Sequence, residues 1–265
     1  IDLVNRYPER FVPTTNGGTN RHWLLQKGGR KKHFIDQLEK RVYDGDYMNI
    51  GEIDFRHYMS SRQCKNRRFA RDTNIPLTSR NGHRLFRLST QTGVPFSIHL
   101  EPEQDQLDQL EKMLSVYPLA KVIVAHFGQV RHPEVQHGFT AKRVRALFAK
   151  YQNLNYDLAT GYPNRTYNCA GPFNNEKLEG DTILWQGGRG NQTDTIRSEW
   201  RSVFTDFSDR FVFASDHGCG RPPLPQFLIN KIELFNLIIR DIPDHAKHNI
   251  AYRNAWKLLT GKVWK

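Results

Sequence analysis

The stretch Val122-Ile123-Val124-Ala125-His126 decides how the chain is read. Four apolar residues without polar alternation suit a strand covered on both faces, as in a parallel sheet flanked by helices. The histidine that ends the run is a proton-carrying, metal-ligating group. Working outward, three more apolar runs end in such a group: Asn49-Ile50-Gly51-Glu52-Ile53-Asp54, Pro95-Phe96-Ser97-Ile98-His99 and Phe211-Val212-Phe213-Ala214-Ser215-Asp216.

Six strands are expected, over 10–14, 48–55, 94–100, 121–127, 153–158 and 210–216. Helical patterns fall over 32–44, 104–117, 140–150, 196–207, 224–239 and 247–259. Residues 56–80, basic and irregular, and 160–194, rich in Gly and Asn, fit neither pattern and read as long loops at the mouth of a barrel. Strands alternating with helices predict the α/β class and a TIM-type (β/α)8 barrel, in a single domain over residues 1–265. At roughly 30 residues per βα unit, the last six units are recognisable and two more are expected upstream, so the domain reads as N-terminally incomplete.

With 39 Lys+Arg against 27 Asp+Glu, the net charge is +12. That excess permits acidic substrates or a polyanion as partner. The basic residues concentrate in Lys27-Gly28-Gly29-Arg30-Lys31-Lys32 and Lys65-Asn66-Arg67-Arg68, without an RNP-type aromatic motif or zinc-finger spacing, so nucleic acid is not expected and a solvated surface is. Cys64, Cys169 and Cys219 lack CxxC spacing, which argues against a disulfide framework or a structural zinc knot and leaves room for one bridge. No apolar run approaches the roughly 20 residues of a membrane span. A soluble protein is expected, cytoplasmic or periplasmic after processing, with a small-molecule substrate and a homo-oligomer open to it.

The C-terminal ends of parallel barrel strands converge on one mouth, so Glu52, His99, His126 and Asp216 are expected to meet there. Imidazole nitrogen and carboxylate oxygen suit zinc, manganese or iron, with a position left open for water. Taken singly, His99 or His126 reads as a hydrogen-bonded structural residue and Asp216 as a turn cap. Taken together, they are expected to hold one divalent metal ion, because buried polar ends without partners are costly. Glu52 and Asp54, two apart, face one side of their strand. Glu52 is the expected ligand and Asp54 its supporting group, while Asp157 is read as a turn cap. The stretch Gly187-Gly188-Arg189-Gly190 lacks the GK[ST] ending of a phosphate loop and reads as a flexible loop. His217, Cys219 and Arg221 are candidate lining residues, with a turn built on Gly218 and Gly220 as the alternative.

At these residues the chain resembles the amidohydrolase superfamily, and within it the amidohydrolase-2 branch, which also contains decarboxylases and lactonases. The likeness runs from Tyr7-Pro8-Glu9-Arg10-Phe11-Val12 to Asn254-Ala255-Trp256-Lys257-Leu258-Leu259, nearly the whole chain. By that resemblance His99 and His126 are the histidines of the fifth and sixth barrel strands. Asp216 is the eighth-strand aspartate that touches the metal and acts as general base. His126 helps to polarise the substrate, and Glu52 stands where the fourth strand often carries a Lys or Glu ligand. Gly51-Glu52-Ile53-Asp54 also resembles, over this short span, the TatD-type deoxyribonucleases.

The family's first-strand HxH pair has no counterpart, since no two histidines here lie two residues apart. The aligned strands correspond to the family's third to eighth. The resemblance implies a metal-dependent hydrolase that attacks a small amide, ester or lactone through a metal-activated water, with zinc the first choice of metal and manganese or iron next. The alternatives are a nonoxidative decarboxylase on the same barrel, with Arg165, Arg189 or Arg221 as carboxylate clamp, and a non-catalytic barrel that binds a polyanion.

Overall fold

The structure, a computed structural model, describes residues 2–15, 17, 34–131, 138–163, 167–168, 177–178, 183–186, 194–217 and 224–264. Backbone pairing builds one six-stranded sheet from β1 (Ile50–His57), β2 (Thr73–Asn74), β3 (Phe96–Leu100), β4 (Val122–Val124), β5 (Leu154–Asp157) and, beyond a separate pair formed by β6 (Tyr167–Asn168) and β7 (Lys177–Leu178), β8 (Phe211–Val212). Its order is β2-β1-β3-β4-β5-β8, and every neighbouring pair is parallel except β2 on β1. Parallel neighbours need long crossovers. The helices Arg80–Thr92, Gln104–Val116, Ala141–Lys150 and Ser198–Asp206 lie in them. This is the βα alternation of a TIM-type barrel, as expected from the sequence.

Both faces of the strands are covered. Ile53, Phe55, Phe96, Ile98, Val122, Val124, Leu154, Tyr156 and Phe211 are all buried in one continuous core with the helices. Phe127 anchors its centre, with Tyr156, Trp200, Phe204 and Phe211 packed edge-on around it at ring separations of 4.9 to 5.6 Å. Among the described residues, no helix is long and apolar enough to cross a membrane.

Several expected boundaries move, each for a visible reason. Residues 10–14 make only a parallel bridge, Thr14 to Asn49, because Pro13 has no N–H with which to extend a ladder. The strand expected to reach Phe127 stops at Val124, since the His126 N–H turns to the Asp157 side chain. The strand expected over 210–216 is reduced to Phe211–Val212, because the Phe213 N–H leaves the sheet for the Ile250 carbonyl at 3.0 Å.

The final helix, expected over 247–259, is three pieces: Asp244–His248, a π-helical turn Asn249–Arg253, and Asn254–Thr260, which ends at Gly261 with φ of 72°. Asn254 Nδ2 ties it to the Phe211 carbonyl at 2.8 Å. Within the stretch read as irregular, Ser61–Lys65 is helical under a Ser60 capping box, and Phe69–Arg71 is a 3₁₀ turn. Arg80–Thr92 is a full helix that the apolar pattern did not reveal. Ser79 caps it by accepting from the Gly82 N–H, and Gly93 ends it at φ of 71°.

Candidate metal centre

Strand β1 carries Glu52 and Asp54 on one face, and its register sets Asp54 beside His99 of β3. His126 follows β4 in the left-handed region, with φ of 61°, which is uncommon for a residue with a side chain. Asp157 at the end of β5 holds that kink: its Oδ1 accepts from the His126 N–H at 2.8 Å and the Ala159 N–H at 3.0 Å. The residue read as a turn cap therefore also fixes the backbone of His126. The His126 Nδ1 lies 2.9 Å from the Ala159 carbonyl. A carbonyl only accepts, so Nδ1 carries a proton and Nε2 faces Glu52.

One ligand atom from each of Glu52, His99 and His126 lies within 4.8 Å of the others. Glu52 Oε1 is 2.7 Å from His99 Nδ1, and Glu52 Oε2 is 3.3 Å from His126 Nε2. Two nitrogens and a carboxylate are a donor set that zinc accepts, with bonds of about 2.0–2.2 Å. The histidine side chains are 5% and 7% exposed and that of Glu52 is 30% exposed, so the group opens to solvent on the Glu52 side.

Burial opposes the charge on His126, but the carboxylates of Glu52, Asp157 and Asp216 outweigh it and raise its pKa to about 10. Burial likewise opposes ionisation of Glu52, and the charge of His126 with the hydrogen bonds of His126 and His99 overcomes it, holding the carboxyl well below its usual range. Metal-free, the pair is an imidazolium and a carboxylate.

A second group, Asp54, His57 and His99, adjoins the first. Here the cation is built in. Arg71 Nη1 lies 2.9 Å from Asp54 Oδ2 as an ion pair, although that oxygen has no aligned hydrogen-bond donor, and Arg71 Nη2 lies 3.4 Å from His57 Nε2. His57 donates through Nδ1 to the Arg71 carbonyl at 2.7 Å. Burial, and then the charges of the Arg131 and Arg71 guanidiniums, hold its pKa well down, so it is neutral. Behind His99 stands Glu101, whose side chain is fully buried and which accepts from the Arg131 backbone N–H at 3.2 Å and its Nη1 at 3.3 Å.

His57, Arg71, Glu101 and Arg131 were not singled out from the sequence. Glu101 had a usable signal: it stands two residues after His99 and so shares its face. The arginines had none, because neither lies on a strand: Arg71 ends a 3₁₀ turn and Arg131 follows the kink at His126.

Asp216 is placed differently from the three. It lies beyond β8, exposed, with φ of 50°, and is not in either group of converging ligand atoms, although its charge reaches His126. The exposed His217 packs its ring 4.9 Å from that of Phe227. Lys27–Lys32, Arg165, Cys169, Gly187–Gly190, Gly218, Cys219, Gly220 and Arg221 lie outside the described residues. Cys64 is disulfide-bonded, the one bridge for which the cysteine count left room.

No curated protein matches the chain. Among solved structures, it is similar to 2,6-dihydroxybenzoate decarboxylase from Rhizobium, with a TM-score of 0.52 and 11% identity over 97% of this chain and 73% of that one. The structure of 2,6-dihydroxybenzoate decarboxylase complexed with 2,6-dihydroxybenzoate gives 0.51 and 12% over the same shares. At such identity the likeness is one of fold, the amidohydrolase-type barrel. Residues 55–260, well over half of the chain, match the amidohydrolase-2 family model, described as Amidohydrolase, and the chain belongs to that enzyme family.

Proposed function

We propose that the chain is a single metal-dependent barrel domain that hydrolyses a small amide, ester or lactone, with a divalent ion, zinc first, held by Glu52, His99 and His126. The observation that carries this reading is the distribution of counter-charge. Arg71 neutralises Asp54 and Arg131 neutralises Glu101, whereas the ion pairs of Glu52 among the described residues are to His99 and His126. Glu52 is thus the carboxylate left for an added cation.

A divalent ion bound there polarises a carbonyl and lowers the pKa of a water. The protein's own groups do the rest. The Ala159 carbonyl and Asp157 hold His126 with Nε2 aimed at Glu52. Asp216, exposed at the rim, is the proposed base that takes a proton from the attacking water. Its role as a direct ligand belongs to the same proposal, and requires its loop to close on His126.

A nonoxidative decarboxylase on this barrel is the second reading. Arg71, with its side chain 22% exposed beside the group, favours it as a partner for a substrate carboxylate. Metal analysis of the purified protein, followed by turnover of small amides, esters, lactones and aryl carboxylates, tests both readings. Metal in near-equimolar amount, lost in the Glu52→Gln and His126→Ala proteins, supports the centre. Hydrolysis supports the first reading and carbon dioxide release the second, and a metal-free protein after incubation with zinc or manganese overturns both.

A further inference from the structure

The proton on His99 is contested. Its Nε2 lies 2.9 Å from Arg131 Nη1 and 3.4 Å from Glu101 Oε1. A guanidinium can only donate, and a carboxylate only accept. With Arg131 on it, Nε2 must present its lone pair, so Nδ1 carries the proton and donates to Glu52 Oε1 at 2.7 Å. That is the wrong tautomer for binding a metal at the Glu52 side. A ligating histidine turns a lone pair to the ion and gives its other N–H to a carboxylate or carbonyl. Glu101 is the carboxylate in place to receive it.

We infer that Arg131 and Glu101 are positioning residues that decide which nitrogen of His99 carries its proton. Arg131 holds the metal-free tautomer, and Glu101 accepts the Nε2–H when Nδ1 turns its lone pair to the ion. The exchange balances: one proton leaves Nδ1 and one arrives on Nε2, so His99 neither gains nor loses a proton. Arg131 loses one acceptor and keeps the Tyr58 carbonyl at 3.0 Å from Nη1 and Glu101 Oε1 at 3.3 Å. The pair is fixed in place, since the Arg131 backbone N–H also holds Glu101 Oε2. This inference rests on the proposed metal site at Glu52, His99 and His126.

The test is ¹⁵N NMR of histidine-labelled protein, with and without zinc, beside zinc affinity measured against a chromophoric chelator. In the parent protein, His99 is expected as the Nδ1–H form without metal and the Nε2–H form with zinc. Glu101→Gln keeps the shape but offers Nε2 an amide donor. It should leave the metal-free tautomer unchanged and weaken zinc about 10–100-fold. Arg131→Met should place the proton on Nε2 even without zinc and tighten zinc binding, and Arg131→Lys should behave as the parent protein. A protein that merely lost packing would move neither tautomer.

Should Arg131→Met not fold, the Glu101→Gln affinity and the parent tautomers still decide. Unchanged zinc affinity in Glu101→Gln, or an Nε2–H form in the metal-free parent protein, overturns the inference. Failure of the metal reading itself has another signature: no zinc uptake by the parent protein, with the metal-free tautomers still reporting on Arg131.

Discussion

Filling the centre with zinc must release a proton, and His126 sets the size of the effect. In the metal-free protein burial works against its charge, but Glu52 at 3.3 Å, with Asp157 and Asp216, raises its pKa to about 10. A histidine ligand must be deprotonated. At pH 7 the imidazole stands about three pH units below that pKa, and at about 1.36 kcal/mol for each unit its deprotonation costs on the order of 4 kcal/mol. Zinc therefore binds about a thousandfold more weakly at pH 7 than it would to the deprotonated site. Its apparent affinity should rise about tenfold per pH unit from about pH 6 to about pH 8.

Isothermal titration of zinc into metal-free protein, in buffers of different ionisation enthalpy, reads the proton count directly. At about pH 6, where a zinc-bound water with a pKa near 7 keeps its proton, about one proton per zinc is expected, from His126, since His99 exchanges its proton between nitrogens without net loss. No proton release and an affinity flat in pH would refute the placement of His126 as a ligand that Glu52 keeps charged. A count near two would refute the exchange at His99. His126→Ala should bind zinc more weakly and without pH dependence over this range.

Asp216→Asn should weaken zinc binding, as loss of a proposed ligand, and lower turnover by about 10²–10⁴, the usual share of a general base; an unchanged rate on a hydrolysable substrate removes Asp216 from the mechanism. Phe127→Ala should cost about 3–5 kcal/mol in urea unfolding, because five aromatic rings pack edge-on against it in the buried core. Gly82→Ala should destabilise the protein by about 1–3 kcal/mol instead of improving its helix, since a Cβ there would collide with the Leu77 carbonyl; a higher thermal midpoint would contradict that. For the metal-free protein, the folded pKa of His126 is raised, so its contribution is fully present below the unfolded value near 6.5 and is lost as pH rises through about 10; thermal midpoints should fall over that window, and a rise would reverse the sign of the Glu52–His126 interaction.

The strands were legible where both faces are covered, because a run such as Val122-Ile123-Val124 has one sensible reading. Where the strands end was not, because long-range partners set it: the Asp157 carboxylate takes the His126 N–H, and the Ile250 carbonyl takes the Phe213 N–H. The helix Arg80–Thr92 was hidden by Gly82 in its first turn and by charged residues around Leu85, Phe86 and Leu88. Its caps, Ser79 and Gly93, were the stronger signal. Gly82 is a breaker by propensity, but the close approach to Leu77 demands it.

The site was legible as a list of residue types and illegible as a charge distribution. Alternation along β1 puts Glu52 and Asp54 on one face, and alternation along β3 adds His99 and then Glu101 beyond it. Pattern alone ranks these three carboxylates equally as partners for a cation. What separates them is where the permanent positive charges come from, and those arrive from outside the strands. Arg71 follows the basic run Lys65–Arg68, which reads as solvated, yet it alone turns inward to Asp54 and His57. Arg131, beyond the kink at His126, takes Glu101. A buried carboxylate with a guanidinium on it has no need of a metal ion, and displacing that guanidinium would leave a desolvated charge elsewhere. Among the described residues the ion pairs of Glu52 are to histidines, which can give up protons to admit an ion as arginines cannot. By pairing with Asp54 and Glu101, Arg71 and Arg131 favour Glu52 as the carboxylate of the proposed centre.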